Sequence, residues 1–193
     1  MSESSAEVRD AGACSLRIRL AQPEDVTVMS SVIEASVRAL VARDYTPQQI
    51  ESSLRHVYGV DSLLVADGSY YVVETEGEIA GCGGWSRRRT PFGGDQARDM
   101  LDQTLRHPAT DAAVIRAFFV HPRFAGRGIG RLLLETCEAA ARREGFTRFE
   151  LTATLTGRPF YAAHGYLTVE RIEHRMPDGL SVTFELMRKD PEP

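Results

Sequence analysis

The sequence predicts an α/β fold, and three observations carry the expectation. An apolar run at residues 112–120 reads as a buried strand and leads into a glycine-rich turn and a helix. Two pairs of strand-like stretches, 70–74 with 78–87 and 168–175 with 180–188, are joined by turn residues and read as hairpins. Around them, apolar residues recur at helical spacing in several segments.

Taken in order, residues 1–14 are expected to be a disordered tail, followed by one domain over 15–190. Leu16-Arg17-Ile18-Arg19-Leu20 alternates apolar and charged residues, as a half-buried strand does. Pro23-Glu24-Asp25 opens a helix with acidic residues at its positive end, and Val26, Met29, Val32, Ile33, Val37, Leu40 and Val41 form its apolar face. Thr46-Pro47-Gln48-Gln49 starts a second helix, with Thr at the N-cap, Pro at N1 and Gln at N3. Gly81, Gly83 and Gly84 are unusual inside a strand. They point to a bulge or to close approach of another group, with a twisted edge as the plainer alternative. Trp85 is expected in the core rather than lining a pocket. Arg87-Arg88-Arg89 reads as a solvated strand end, with contact to an anionic ligand group as the alternative. The segment 90–111 that follows is long for a connection between adjacent strands, and residues 97–105 are expected to form a short helix within it. Residues 148–152 then read as a strand and 158–164 as a short helix.

The chain is organised around the stretch HPRFAGRGIGRLLLETCEAAARREG, residues 121–145. Gly126, Gly128 and Gly130 precede or open a helix whose apolar side is Ile129, Leu132, Leu133, Cys137, Ala140 and Ala141. The first N–H groups of a helix lack partners inside it, and the dipole makes that end positive, so a phosphate fits there. Glycines remove the Cβ atoms that would hold phosphate oxygens off the backbone. Arg127 and Arg131 add charge beside it. The alternative is a tight turn with no ligand. Two commoner nucleotide motifs fail: G-x-G-x-x-G finds Arg131 where its third glycine belongs, and no Gly-Lys-Ser/Thr exists for a P-loop.

The stretch Ala125-Gly126-Arg127-Gly128-Ile129-Gly130 resembles the Gln/Arg-x-x-Gly-x-Gly/Ala signature of the GNAT superfamily of N-acetyltransferases, departing from it at Ala125. Phe119-Val120-His121-Pro122 looks like the family's strand ending. Phe160-Tyr161-Ala162-Ala163-His164-Gly165-Tyr166 is similar to its downstream F-Y-x-x-x-G-F/Y element. The resemblance implies a mixed, mostly antiparallel central sheet flanked by helices. It implies acetyl-CoA as cosubstrate, with no metal, and direct transfer of the acetyl group to a primary amine. Pantetheine would lie along Phe118, Phe119 and Val120, and the pyrophosphate would meet the amides of Gly126, Arg127, Gly128, Ile129, Gly130 and Arg131. Tyr161 matches the tyrosine that protonates the CoA thiolate. Glu150 is placed like a glutamate that some members use as the base, with a solvated or salt-bridged strand residue as the alternative. Many relatives carry Asn where Thr154 or Leu155 stands, which removes one expected cofactor contact. His121 and His164 are read as structural.

Composition narrows the partners. The 193 residues are 42% hydrophobic and 26% charged, with a net charge of −4, so no global pull toward nucleic acid or anionic membrane is expected. Cys14, Cys82 and Cys137 are odd in number and lack metal spacing, which fits reduced thiols. The polar first residues lack the apolar core of a secretory signal, and a cytoplasmic location is expected. The expected partner is a small-molecule or peptide amine, with a homodimer left open. A non-catalytic acyl-CoA-binding regulatory module would keep the glycine loop without needing Tyr161. A dinucleotide oxidoreductase is disfavoured by the glycine spacing.

Overall fold

The computed structural model describes residues 15–97 and 101–191. The expected tail, 1–14, and Cys14 with it lie outside the described residues. Seven strands form one sheet: β1 (Arg17–Leu20), β2 (Tyr70–Thr75), β3 (Glu78–Ser86), β4 (Ala113–Val120), β5 (Phe149–Thr154), β6 (Leu167–Arg175) and β7 (Ser181–Lys189), in the order β1-β2-β3-β4-β5-β7-β6. Every neighbouring pair is antiparallel except β4 with β5. The expected mixed, mostly antiparallel α/β sheet is therefore present.

Five helices flank it: α1 (Val26–Leu40), α2 (Pro47–His56), α3 (Ser62–Ala66), α4 (Ile129–Arg143) and α5 (Arg158–Ala162). The cap read from Thr46 forms as expected: its hydroxyl accepts from the Gln49 amide, and the Gln49 side chain returns to the Thr46 amide. On one face, α1 and α2 bury Met29, Ile33, Val37 and Ile50 against Tyr70, Val72, Cys82 and Phe184. On the other, α4 buries Leu134, Cys137 and Ala141 against Ile115, Phe149 and Leu151. Trp85 belongs to this second core, 6.1 Å from Phe146 between ring centres. Cys82 and Cys137 are buried free thiols, and burial pushes the Cys82 thiol up to about 12.

Two features of the sheet position the site. First, β4 and β5 pair only at Ala113 with Phe149 and Val114 with Glu150. Beyond those residues the parallel strands part, leaving one edge of β4 unpaired. Second, β4 carries a bulge. Ala117 has φ +58°, and the register against β3 shifts between Cys82 and Gly84. An extra residue in one strand reverses the facing of all that follow. Phe118 consequently packs on the α4 side and Phe119 on the α1 side. The glycines of β3 answer this geometry. A Cβ on Gly83 would sit 2.7 Å from the Phe118 ring, and one on Gly81 2.9 Å from the Phe119 carbonyl oxygen. Of the readings open for these glycines, bulge and close approach both hold; β3 is an interior strand.

The segment between β3 and β4 differs from expectation. Within 97–105, residues 98–100 lie outside the described residues, and 101–105 are not helical. Their backbone groups pair instead across the end of β3. Arg106 donates its amide to Arg87 O at 2.7 Å, Arg89 to Thr104 O at 3.0 Å and Thr90 to Asp102 O at 3.0 Å. Each of the three consecutive arginines meets a carboxylate: Arg87 with Glu144 at 3.3 Å, Arg88 with Asp67 at 2.7 Å, Arg89 with Asp111 at 3.7 Å. The plainer reading of that run holds.

Behind α4, buried Glu138 accepts from Tyr166 Oη at 2.9 Å and from Lys189 Nζ at 2.9 Å on each oxygen. Lys189 is the only lysine in the sequence. No helix among the described residues is long and apolar enough to cross a membrane.

Candidate active site

The gap between β4 and β5 opens into a cavity of about 570 Å³. It is bounded by α1, the chain after α2, residues 91–94, β4, β5, the glycine loop and α5. Phe118, Phe119, Val120, Gly126, Gly128, Ile129, Gly130, Arg131 and Tyr161 all line it. Glu150 and Arg127 do not.

At the loop, Gly126 has φ +78° and Gly128, the N-cap of α4, has φ +83°. A side chain in that region costs roughly 1–2 kcal/mol, which explains both glycines without any ligand. The space is equally telling: a Cβ on either would meet nothing within 4 Å. The amides of 126–131 find no hydrogen-bond partner among the described residues, and α4 has no side-chain cap. Open space over free amides at the positive end of a 15-residue helix suits a pyrophosphate. Gly130 has a different reason, since its Cβ would lie 3.3 Å from Phe160 Cζ. Arg127 pairs with Glu76 at 2.8 Å and Arg131 with Glu135 at 2.7 Å, both at the surface. His121 accepts from the Arg123 amide at 3.2 Å and so shapes the turn.

Tyr161 stands where α5 meets the parted strands, 6.3 Å from Phe118 and 5.9 Å from Tyr166 between ring centres. Its hydroxyl makes no hydrogen bond among the described residues, and burial raises its pKa above the ordinary 10. It is therefore a neutral phenol with an uncommitted proton facing a cavity. Its helix is set by Thr154, whose hydroxyl accepts from the Gly157 amide at 2.9 Å. The Leu155 amide is taken by Tyr45 Oη at 2.9 Å. His164 lies in the same turn, with Nδ1 2.7 Å from Phe160 O.

Glu150 shares its face of β5 with Thr152 and Thr154, which do line the cavity. Its carboxylate is spoken for: Arg106 Nη2 lies 2.6 Å from one oxygen and Arg188 Nε 3.3 Å from the other. Its geometry is that of the salt-bridged alternative, anchoring 90–111 to the sheet.

Other residues of the site carried no motif. Arg116, the lone charge within the apolar run of β4, is buried and pairs with buried Asp61 at 2.7 Å. Its guanidinium also donates to Thr90 O at 3.0 Å and to Gly93 O. It thereby ties residues 90–94 over the cavity. A charge inside a strand of that composition was the one available signal. Tyr58, Phe92 and Phe184 come from three distant segments and had none.

Comparison with known proteins agrees with this geometry. The model of the acetyltransferase (GNAT) family matches residues 35–166. A sequence search of curated proteins returned no match. Among solved structures, a GCN5-related N-acetyltransferase from Rhodopseudomonas palustris aligns over 98% of this chain and 99% of its own, at 20% identity and TM-score 0.66. PaiA N-acetyltransferase from Thermoplasma acidophilum, in complex with coenzyme A, aligns over 91% and 99%, at 16% identity and TM-score 0.61. YncA of Salmonella typhimurium, solved with its cofactor acetyl-CoA, aligns over 92% and 94%, at 17% identity and TM-score 0.58. With the parted strands, the glycine turn and a family match over most of its length, this chain belongs to the GNAT family of acetyltransferases.

Proposed function

We propose that the protein transfers the acetyl group of acetyl-CoA to a primary amine by direct attack. The observation that carries this reading is Tyr161, a neutral phenol with a free hydroxyl on the same cavity as the free amides of 126–131. Direct transfer needs no protein nucleophile if amine and thioester are held together. The amine nitrogen attacks the thioester carbonyl, the C–N bond forms and the C–S bond breaks. The departing thiolate takes the Tyr161 proton, the amine's surplus proton leaves to water, and the phenolate is reprotonated from solvent. The burial that makes the phenol a weaker acid also disfavours a thiolate ion beside it, so the proton transfer remains feasible. The unpaired edge of β4 suits an extended pantetheine, whose amides would pair there as an added strand does.

A regulatory module that only binds acyl-CoA would have no use for the free Tyr161 hydroxyl. Glu150 is left out of the proton path because both its oxygens are paired. Two measurements test the proposal together. Acetyl-CoA at 100 times its Kd should stabilise the fold by about 2.7 kcal/mol, with NAD and ATP giving less. A panel of primary amines should yield free thiol from acetyl-CoA. No stabilisation at millimolar acetyl-CoA would sink the reading; stabilisation without turnover of any amine would favour the regulatory module.

A further inference from the structure

The far end of the cavity has a composition that narrows the acceptor. Tyr58, following α2, lies edge-on to Phe119 of β4 and to Phe184 of β7, with ring centres 5.9 and 6.5 Å apart and both interplanar angles 83°. Phe92, from the segment tied down by Arg116, closes on Phe184 at 5.1 Å. All four rings line the cavity, backed by Val37, Leu40 and Val41. Charge is the second observation. Among the described lining residues none is Asp, Glu or His; the only charged ones are Arg116 and Arg131. Arg116 is neutralised by Asp61 at 2.7 Å, and Arg131 sits at the glycine loop, paired with Glu135. The third is the Tyr58 hydroxyl. It makes no hydrogen bond among the described residues, and burial keeps it protonated.

From these we infer that the acceptor is a small primary amine bearing one aromatic ring, bound as the uncharged amine. The inference deepens the acetyltransferase reading and rests on it. An aromatic ring joins edge-to-face clusters of this kind with a gain beyond its buried area. A second ammonium, as on a polyamine or aminoglycoside, would enter a chamber with no carboxylate to pair it, which is strongly unfavourable. The Tyr58 hydroxyl supplies one polar contact, suited to the amine nitrogen or a ring substituent.

The test compares 2-phenylethylamine, n-hexylamine and spermidine as acceptors at saturating acetyl-CoA and pH 8.5. The expected kcat/KM is at least tenfold higher for 2-phenylethylamine than for n-hexylamine, and higher still against spermidine. Phe92→Leu keeps an apolar side chain but removes a ring from the strap. It should raise KM for 2-phenylethylamine about tenfold and that for n-hexylamine distinctly less, with the acetyl-CoA-induced stabilisation retained. If that variant fails to fold, Phe184→Leu removes the ring that Phe92 closes on and serves with the same expectation. Equal use of the two monoamines, a preference for spermidine, or no use of 2-phenylethylamine by a protein that acetyl-CoA still stabilises would each overturn the acceptor class alone. Absence of that stabilisation would instead overturn the acetyltransferase reading beneath it.

Discussion

At one end of the cavity the lining is main chain: the amides of 126–131, and the edge of β4 that β5 leaves after Val114. At the other end it is side chain: four aromatic rings from the chain after α2, the strap at 92, β4 and β7. Main chain is the same in every protein, so a site made of it can serve one invariant ligand through wide sequence drift. Side chains change with each substitution, so a site made of them is where specificity varies. The likeness at 16–20% identity shows a shared fold.

Tyr161, between the two ends, offers the largest break. Tyr161→Phe removes one hydroxyl and leaves the ring contacts with Phe118 and Tyr166. General acid catalysis contributes ~10²–10⁴-fold, so kcat should fall by that order while the acetyl-CoA Kd stays near wild type. An unchanged kcat on a good acceptor would show that the thiolate leaves with solvent help.

Gly128→Val attacks the main-chain end. The residue would be forced to φ near +83° with a branched side chain, and that side chain would enter the open space above the free amides. CoA affinity should drop tenfold or more with the far-UV spectrum native, measured by titration calorimetry. The KM for an accepted amine should move far less. Equal losses on both substrates would mean the two ends are not separable.

The smallest effect sharpens the side-chain end. His174 lies 5.3 Å from Phe92 between ring centres, and burial lowers its pKa from 6.5. Because the folded value is the lower one, the neutral ring is favoured in the fold. That contribution is complete above pH about 6.5 and fades as pH falls through the folded value. His174 is only half-buried, so solvent screens part of the effect. His174→Leu should flatten the fall in Tm from pH 7 to 5 by no more than about 2 °C, given ~2–4 °C per kcal/mol for a domain of this size. A steeper fall in the variant would reverse the assignment.

The same division decides what could be read from the sequence. Gly126 and Gly128 were legible because a left-handed backbone demands glycine, and Tyr161 because it stands in a local motif. The bulge at Ala117 turns the Phe119 side chain to the aromatic wall, a second use of a residue named for its backbone. Nothing in the residue pattern of β4 foretells a left-handed alanine, since the cost is met by contacts made elsewhere, Tyr70 Oη on Ala117 O at 3.2 Å among them. Glu150 shows the limit from the other side. Its strand was legible from the residues, but the arginines that claim its carboxylate sit 44 and 38 residues away.

Lys189, fastened by its ammonium to both oxygens of Glu138, has a consequence for the protein as a chemical object. A thioester acylates amines slowly without any enzyme, and a protein that holds one is the nearest target. Here the basic residues are arginines but for this one, and a guanidinium stays protonated and non-nucleophilic at neutral pH. The single side-chain amine is partly buried and lies 2.9 Å from both oxygens of Glu138, which leaves an acyl group little room to approach it. Among the described residues the side chains thus offer such a reagent almost no amine to consume, and amine-directed labels should likewise leave the described surface nearly blank.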